Sequence, residues 1–222
     1  MTRHSLPKYS CRKVRVPPAL DGKMDSRPWE RAEPIHLLSA DTGRAPKQAT
    51  EVRLLYDAQF LYAGFRCQDS DVWGSMTDRD SHIYREEVVE LFIDPAGRRR
   101  SYFEFEVSPH NTVFDLFVLN DSRCGRPWVL KEWNCRGLRT ATEIQFEMRD
   151  GRKAFKGWTC EMAIPFFQMC DAPNLPPRKG DIWPLNLYRI DRGPRDDEYS
   201  AWSPACGRNF HQPRVFGELV FA

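Results

Sequence analysis

The 222-residue chain has a hydrophobic fraction of 41% and a formal net charge of +2, with acidic and basic residues interleaved. This length favours one large domain, and the interleaved charge argues against a nucleic-acid partner, which needs a basic stripe or patch. No apolar run approaches the roughly 18–20 residues needed to cross a bilayer, so we expect no membrane partner.

The N-terminal thirty residues are polar and basic, without the apolar segment of a signal peptide, and we therefore expect a cytoplasmic location. The cysteines form no CxxC pair, which favours free thiols over a disulfide framework. They lie at positions 11, 67, 124, 135, 160, 170 and 206.

The N-terminal part of the chain predicts a loose basic arm over residues 1–12 and a single domain over residues 13–222. A first strand is expected at Lys13–Val16, before two prolines. The stretch Leu20–Ala32 predicts a turn followed by one or two helical turns, with Trp29 inserted into the core.

A hairpin follows, in which Thr50–Tyr56 and Phe60–Gln68 alternate between apolar and other residues. Arg66 falls on the face opposite Leu61 and Phe65. The next segment, from residue 69 to residue 83, is a polar loop.

This polar loop contains carboxylates of the kind that bind calcium, in the sequences DSD and DRD. The candidate ligands are Asp69, Asp71, Asp78 and Asp80. The loop lacks the glycine and the distal glutamate of an EF-hand, so a solvated acidic loop is the favoured interpretation. We expect no cofactor, and structural calcium stays an open alternative.

The stretch Tyr84–Pro109 predicts the central hairpin, with the basic loop Gly97–Arg100 between its strands. Glu90 is the unusual residue, because its same-face neighbours Val88 and Phe92 are both apolar. A carboxylate in that place needs a hydrogen-bond donor or must face a ligand.

Further short strands complete the pattern, and consecutive strands with local turns and little helix predict an all-β, antiparallel two-sheet β-sandwich with one or two short helices. The later strands are Thr112–Val118, Glu132–Leu138, Glu143–Met148, Gly157–Ile164, Ile182–Asp191 and Val215–Phe221. The predicted core contains Trp29, Leu54, Phe65, Leu91, Phe103, Phe105, Ile164 and Leu187.

Seven stretches, taken in order, resemble the family 9 carbohydrate-binding modules and their family 9-like relatives. They are LDGKMDSRPW (20–29), VRLLYDAQFLYAGFRCQD (52–69), YREEVVELFIDP (84–95), YFEFEVSP (102–109), GWTCEMAIPF (157–166), GDIWPLNLYRID (180–191) and SAWSP…FHQPRVFGELVF (200–221). The resemblance implies a two-sheet sandwich without a catalytic centre, and an oligo- or polysaccharide as partner.

The resemblance also implies a sugar site. Two tryptophans clamp the sugar in the characterised modules, and Tyr84 and Phe210 stand at those places here. Glu90 matches the acid within the strand, and Asn186 matches the asparagine of the late strand. Glu106 stands where those modules use an arginine, a departure that bears on which sugar is bound.

Sugar sites combine aromatic plates with hydroxyl-binding polar groups. We therefore predict that Tyr84 and Phe210 face each other over a polar floor. The floor and rim candidates are Glu90, Asn186, Arg66, Glu106, Tyr188, His211 and Trp202, with Glu104 and Trp73 as further polar and aromatic side chains near them. In the alternative interpretation, Glu90 is simply ion-paired with Arg66 or Arg189.

Other functions stay open from the sequence alone. Glu90 with Glu104 or Glu106 could form the carboxylate pair of a glycosidase. Met76, His82 and His110 offer haem ligands without a convincing axial pair. A third alternative is a protein-interaction scaffold whose sugar site has decayed. The sequence does not give the sugar, its linkage or the oligomeric state.

Overall fold

Fourteen strands are present in the computed structural model, which describes residues 5–120, 126–193, 196–204 and 207–222. In chain order they are β1 Lys8–Lys13, β2 Ile35–His36, β3 Leu38–Ser39, β4 Thr50–Tyr56, β5 Phe60–Gln68, β6 Val88–Ile93, β7 Ser101–Val107, β8 Val113–Leu119, β9 Trp128–Leu130, β10 Arg139–Arg149, β11 Arg152–Pro165, β12 Ile182–Arg192, β13 Asp197–Ala201 and β14 Gly217–Phe221. Within the described residues, the helical segments are short 3₁₀ turns at Arg27–Arg31, Ile83–Arg85, Phe166–Gln168 and Pro213–Val215.

The strands form two sheets that meet at β1. The front sheet contains β3, β13, β12, β6, β7, β8 and β9, with β14 beside β12; the back sheet contains β2, β4, β5, β11 and β10. Both sheets are antiparallel, except that β1 pairs in parallel with β14 on one side and with β4 on the other. The predicted antiparallel β-sandwich is therefore confirmed, with one parallel strand at its seam.

The main core lies between the sheets, because the period-2 alternation of their strands turns apolar side chains inward. Leu54 and Phe65 of the back sheet and Leu91 and Phe105 of the front sheet are fully buried in one cluster. All eight predicted core residues are buried. Trp29 lies instead in a smaller cluster that includes Leu55 and Tyr62 of the back sheet.

The prediction of a loose arm is wrong for residues 8–12, which belong to β1. Tyr9 and Cys11 are buried in the main core, and the Tyr9 hydroxyl donates to the carbonyl oxygens of Glu33 and Leu54. The charged residues around them concealed this alternation. Residues 1–4 lie outside the described residues.

The central hairpin forms as predicted, as β6 and β7. Its register sets Glu90 opposite Glu106, and on its other side β6 pairs with β12, which sets Glu90 opposite Tyr188. These side chains share the face of the front sheet that lies away from the main core, beside the second apolar cluster. The outer face of the front sheet is therefore where a site can form.

The cysteines at 11, 67, 135, 160 and 170 are free thiols, as predicted, whereas those at 124 and 206 lie outside the described residues. Within the described residues, no helix is long and apolar enough to cross a membrane.

Candidate functional site

A cleft of about 410 Å³ opens on the outer face of the front sheet. Strands β6, β7, β8 and β12 supply its floor, and β9, β13 and the loop before Pro213 supply its sides. Its lining consists of Tyr84, Glu90, Phe92, Glu104, Glu106, Phe114, Leu116, Val129, Lys131, Ile190, Arg192, Tyr199, Arg208, Asn209, Phe210 and His211.

Three carboxylates lie together on the floor of this cleft. Glu90 faces Glu106 across the strand pair, and Glu104 is two residues from Glu106 on the same strand face. All three are buried, and one oxygen each of Glu104 and Glu106 has no hydrogen-bond partner among the described residues. Directly opposed like charges destabilise a sheet, so the arrangement disfavours ionisation of all three groups at once.

Burial raises the pKa of all three carboxyl groups. The pKa of Glu104 rises to about 7, chiefly because the group is removed from water. The pKa of Glu90 is raised by burial and by repulsion from Glu104, and Arg192 offsets part of the rise. Burial and the charges of Glu90 and Glu104 likewise raise the pKa of Glu106. Protons are therefore retained on this floor near neutral pH.

Arg192 forms one wall together with Tyr199. Its guanidinium donates to the Tyr199 hydroxyl at 2.6 Å and to the Tyr84 carbonyl at 2.8 Å, and it pairs with Asp197. The guanidinium carbon lies 5.3 Å from the centre of the Tyr199 ring. These contacts hold Arg192 in place as a positive group beside Glu90.

His211 lies at the opposite rim. Its ring stacks on Phe92 with centroids 5.6 Å apart, and its Nδ1 is 2.6 Å from the Tyr102 hydroxyl. Glu104 lies 3.7 Å from the same nitrogen. Burial lowers the pKa of His211, so the ring is a neutral partner near neutral pH and provides no counter-charge to the floor.

Tyr84 and Phe210 both line the cleft, but their surroundings differ. Tyr84 is half-buried, packed against His82 and Phe114. Phe210 is only 7% exposed, because one ring face stacks on Tyr188 at 4.0 Å with an interplanar angle of 12°. The structure thus brings both aromatic residues to one cleft and leaves Phe210 little open surface.

Asn186 and Tyr188 support the site from below and are not part of its lining. The Asn186 amide donates to the Tyr188 hydroxyl and to the Ser203 carbonyl, and its oxygen accepts from the Ser203 N–H. The Tyr188 hydroxyl donates to the Phe210 carbonyl at 3.0 Å. This network fixes the loop that carries Phe210, so the predicted role of Asn186 on the floor is replaced by a positioning role.

Two other predicted site residues lie elsewhere. Arg66 is on the back sheet, exposed, and donates to the Met24 carbonyl. Trp202 packs against the main core, where a Cβ on Gly217 would lie only 2.6 Å from its ring. The prediction that these residues form the floor and rim is wrong. Arg66 belongs to the other sheet, and Trp202 lies on the inner side of the front sheet, whereas Glu90 lies on its outer side.

The possible ion pair of Glu90 with Arg66 or Arg189 is also not formed. Arg189 lies on the opposite face of β12, where it donates to Asp69 at 2.8 Å and to Asp191 at 3.2 Å. Buried Glu87 completes this inner cluster, and burial together with Asp69 raises the pKa of Glu87 to about 10.

The inner cluster includes one of the four calcium candidates, and calcium binding itself stays a prediction. Among the described residues, one group of three acidic side chains brings an oxygen of each within 4.8 Å of the others, and it consists of Asp69, Glu87 and Asp191. Asp71, Asp78 and Asp80 are not in it, and Asp80 is 3.8 Å from Arg79 instead. Since Arg189 already occupies the cationic position among these oxygens, the set fits an arginine rather than a calcium ion.

The sequence reasoning missed Arg192, Tyr199, Lys131 and Arg208. For Arg192 a signal existed, because Tyr188, Ile190 and Arg192 share one face once the late strand is extended by one residue beyond Asp191. Tyr199 and Arg208 come from loops and a short strand whose position depends on the fold as a whole.

A known protein family matches most of the chain. The carbohydrate family 9 binding domain-like family matches residues 20–222. The chain belongs to this family. The resemblance found in the seven sequence stretches is thereby confirmed.

One relative and several solved structures are similar to this family member. A protein of the fungus Arthroderma benhamiae, described as an extracellular protein, is 26% identical over 206 residues and covers 87% of each chain. A crystal structure of a Bacteroides uniformis protein proposed to bind carbohydrate has a TM-score of 0.79 at 17% identity, covering 98% of this chain and 100% of that one.

A carbohydrate-binding module of family 9 from Caldicellulosiruptor kristjanssonii has the same fold. Its complexes with cellotriose and with glucose each give a TM-score of 0.66 at 17% identity. They cover 96% and 97% of this chain and 93% and 94% of that one. At this identity the likeness establishes the fold of the family 9-like domain.

Proposed function

We propose that this protein is a non-catalytic carbohydrate-binding domain, with its sugar site in the cleft over Glu90, Glu104 and Glu106. The observation that carries the proposal is the position of the cleft: the two aromatic residues at the clamp places, Tyr84 and Phe210, line one cavity with the strand acid. The family 9 module of similar fold is in complex with cellotriose and with glucose. Both facts support a saccharide as the ligand.

The cleft offers the two kinds of surface that a sugar needs. Tyr84 presents aromatic area to the apolar C–H face, while the carboxylates accept hydroxyl protons. Tyr84 acts as the main plate of the clamp, and Phe210 contacts the sugar through the small part of its ring that remains open. The volume of about 410 Å³ holds one or two sugar rings, within the usual range for small-ligand sites.

Isothermal titration with glucose, cellobiose and cellotriose tests the proposal. One aromatic plate should contribute about 1 kcal/mol, so Tyr84→Ala should weaken binding by roughly fivefold. The matched control is Phe167→Ala, since Phe167 is an exposed aromatic residue outside the cleft. Equal losses in both variants, or no binding by the wild type, would contradict the proposal.

A protein-interaction scaffold is a second candidate function, favoured by the burial of Phe210. It predicts no heat of binding with any sugar. The cytoplasmic location likewise stays a prediction, and fractionation of cells producing the protein would check it.

A further inference from the structure

The floor of the cleft has three buried carboxylates and no cation bound to them by hydrogen bonds among the described residues. Glu104 and Glu106 both line the cleft, and each has one buried oxygen without a hydrogen-bond partner among the described residues. An ionised carboxylate that is buried without a partner is costly, so such groups either keep a proton or meet a positive ligand.

The basic residues around the cleft are engaged with other groups. Arg192 pairs with Asp197, Arg208 lies 3.3 Å from Asp41, and Lys131 Nζ lies 3.3 Å from His82 Nε2. The charges of Arg192 and Arg208 are therefore largely compensated at the rim rather than at the floor, whereas Lys131 contacts an imidazole nitrogen.

A second, acidic cleft of about 790 Å³ adjoins the first and shares Tyr199 with it. The pairs of Arg192 with Asp197 and of Arg208 with Asp41 cross the wall between them, since each joins a residue of the first cleft to an acid of the second. The acids lining the second cleft are Asp41, Asp69, Asp71, Asp191, Asp196, Asp197 and Glu198.

Taken together, these observations describe a surface that favours a positively charged sugar. An ammonium group supplies both the charge and the hydrogen-bond donors that Glu104 and Glu106 lack. An N-acetylated sugar brings no charge, and a uronic acid would place a further carboxylate over the floor.

Building on the function proposed above, we infer that the ligand is a glycan with free amino groups, an oligomer of glucosamine. One amino group binds over Glu104 and Glu106, and the chain continues past Tyr199 toward the acidic second cleft.

Titration calorimetry at about pH 7 with three dimers tests the inference: β-1,4-linked glucosamine, cellobiose and the N,N′-diacetylated dimer. The glucosamine dimer should bind at least about tenfold more tightly than the other two. Glu104→Gln and Glu106→Gln should each reduce that ratio to about threefold or less. Glu147→Gln, which alters an exposed carboxylate at the tip of the β10–β11 hairpin, should leave it unchanged.

The outcomes separate this inference from the sugar site itself. Cellobiose or the diacetylated dimer binding as tightly as the glucosamine dimer would overturn the inference and leave the proposed function standing. No binding of any dimer would overturn both. A preference that survives in both glutamine variants would show that the amine binds elsewhere, which also contradicts the inference.

The second cleft has its own test. A glucosamine tetramer should bind several-fold more tightly than the dimer, and Asp71→Asn should reduce this gain because Asp71 is an exposed acid of that cleft. Equal affinities of dimer and tetramer would contradict the extension past Tyr199.

Discussion

A cluster of three buried carboxylates lies against each face of the front sheet, and the two clusters have different partners. On the inner face, Arg189 lies among Asp69, Glu87 and Asp191 and donates to two of them. On the outer face, no arginine among the described residues donates to Glu90, Glu104 or Glu106, although Arg192 lies beside Glu90, and all three glutamates line a cleft. The inner cluster is completed by the protein itself, whereas we propose that a ligand completes the outer one.

The comparison shows why a buried acid in a strand is not by itself a site. Both sets gather carboxylates from different segments of the chain, and burial raises pKa values in both: that of Asp191 reaches about 6 and that of Glu104 about 7. The difference is the fixed cation on one face and the cavity on the other.

Removing the cation of the inner cluster, Arg189, should have the largest effect on stability. Breaking a buried ion pair by deleting one partner costs about 3–5 kcal/mol of stability. Arg189→Met should therefore lower the free energy of unfolding by that amount in urea denaturation. The control is Arg66→Met, where an exposed arginine of the back sheet is lost. A loss below about 1 kcal/mol for Arg189→Met would break the comparison, because it would mean that the inner acids need no cation.

The outer cluster should make the free energy of unfolding depend on pH. The pKa of Glu104 is raised in the folded state, from 4.5 to about 7. Such a group contributes stability below its unfolded pKa, and this contribution is lost as the pH rises through its folded pKa. Unfolding measured from pH 4 to pH 8 should show stability falling between about pH 4.5 and pH 7.

Glu104→Gln should make that decline shallower and raise the stability above pH 7, by up to about 3 kcal/mol. The rest of the decline should remain, because the pKa values of Glu87, Glu90 and Glu106 are raised as well. The lowered pKa of His211 acts in the opposite sense, since its contribution is lost as the pH falls. Glu147→Gln serves as the control with an exposed carboxylate. A variant whose stability falls with pH as steeply as the wild type would contradict the assigned burial of Glu104.

A smaller effect on stability is expected for Asn186, whose hydrogen bonds fix the loop that carries Phe210. Asn186 satisfies the Ser203 carbonyl and N–H, and leaving buried partners unsatisfied costs about 1–3 kcal/mol. Asn186→Ala should lower the free energy of unfolding by about 2 kcal/mol and weaken sugar binding. An effect on binding with unchanged thermal stability would indicate that Asn186 contacts the sugar after all.

Much of the fold could be predicted, because period-2 alternation is a local property of each strand. It gave the central hairpin, the core residues and the exceptional position of Glu90. The first strand was missed since Tyr9 and Cys11 are surrounded by charge, and its parallel pairing with β14 and β4 involves residues distant in sequence.

The site was predicted only in part, because strand alternation is a local property and does not show which strands become neighbours. Tyr84, Glu90, Glu106, Phe210 and His211 do line one cleft. Alternation tells which face of a strand a residue occupies, but not which sheet the strand joins. Arg66 and Trp202 were therefore grouped with Glu90 although the fold separates them. No local pattern identifies Tyr199 or Arg208 as cleft residues.

The most direct test of the account is to locate the ligand on the protein. Amide chemical shifts of ¹⁵N-labelled protein should be followed during titration with cellotriose and with a glucosamine oligomer. The account predicts saturable changes concentrated at Tyr84, Glu90, Glu104–Glu106 and Asn209–His211, with none around Arg66 or Phe167. Changes centred on the back sheet, or no saturable change with either ligand, would contradict the claim that the cleft over the three glutamates is the binding site.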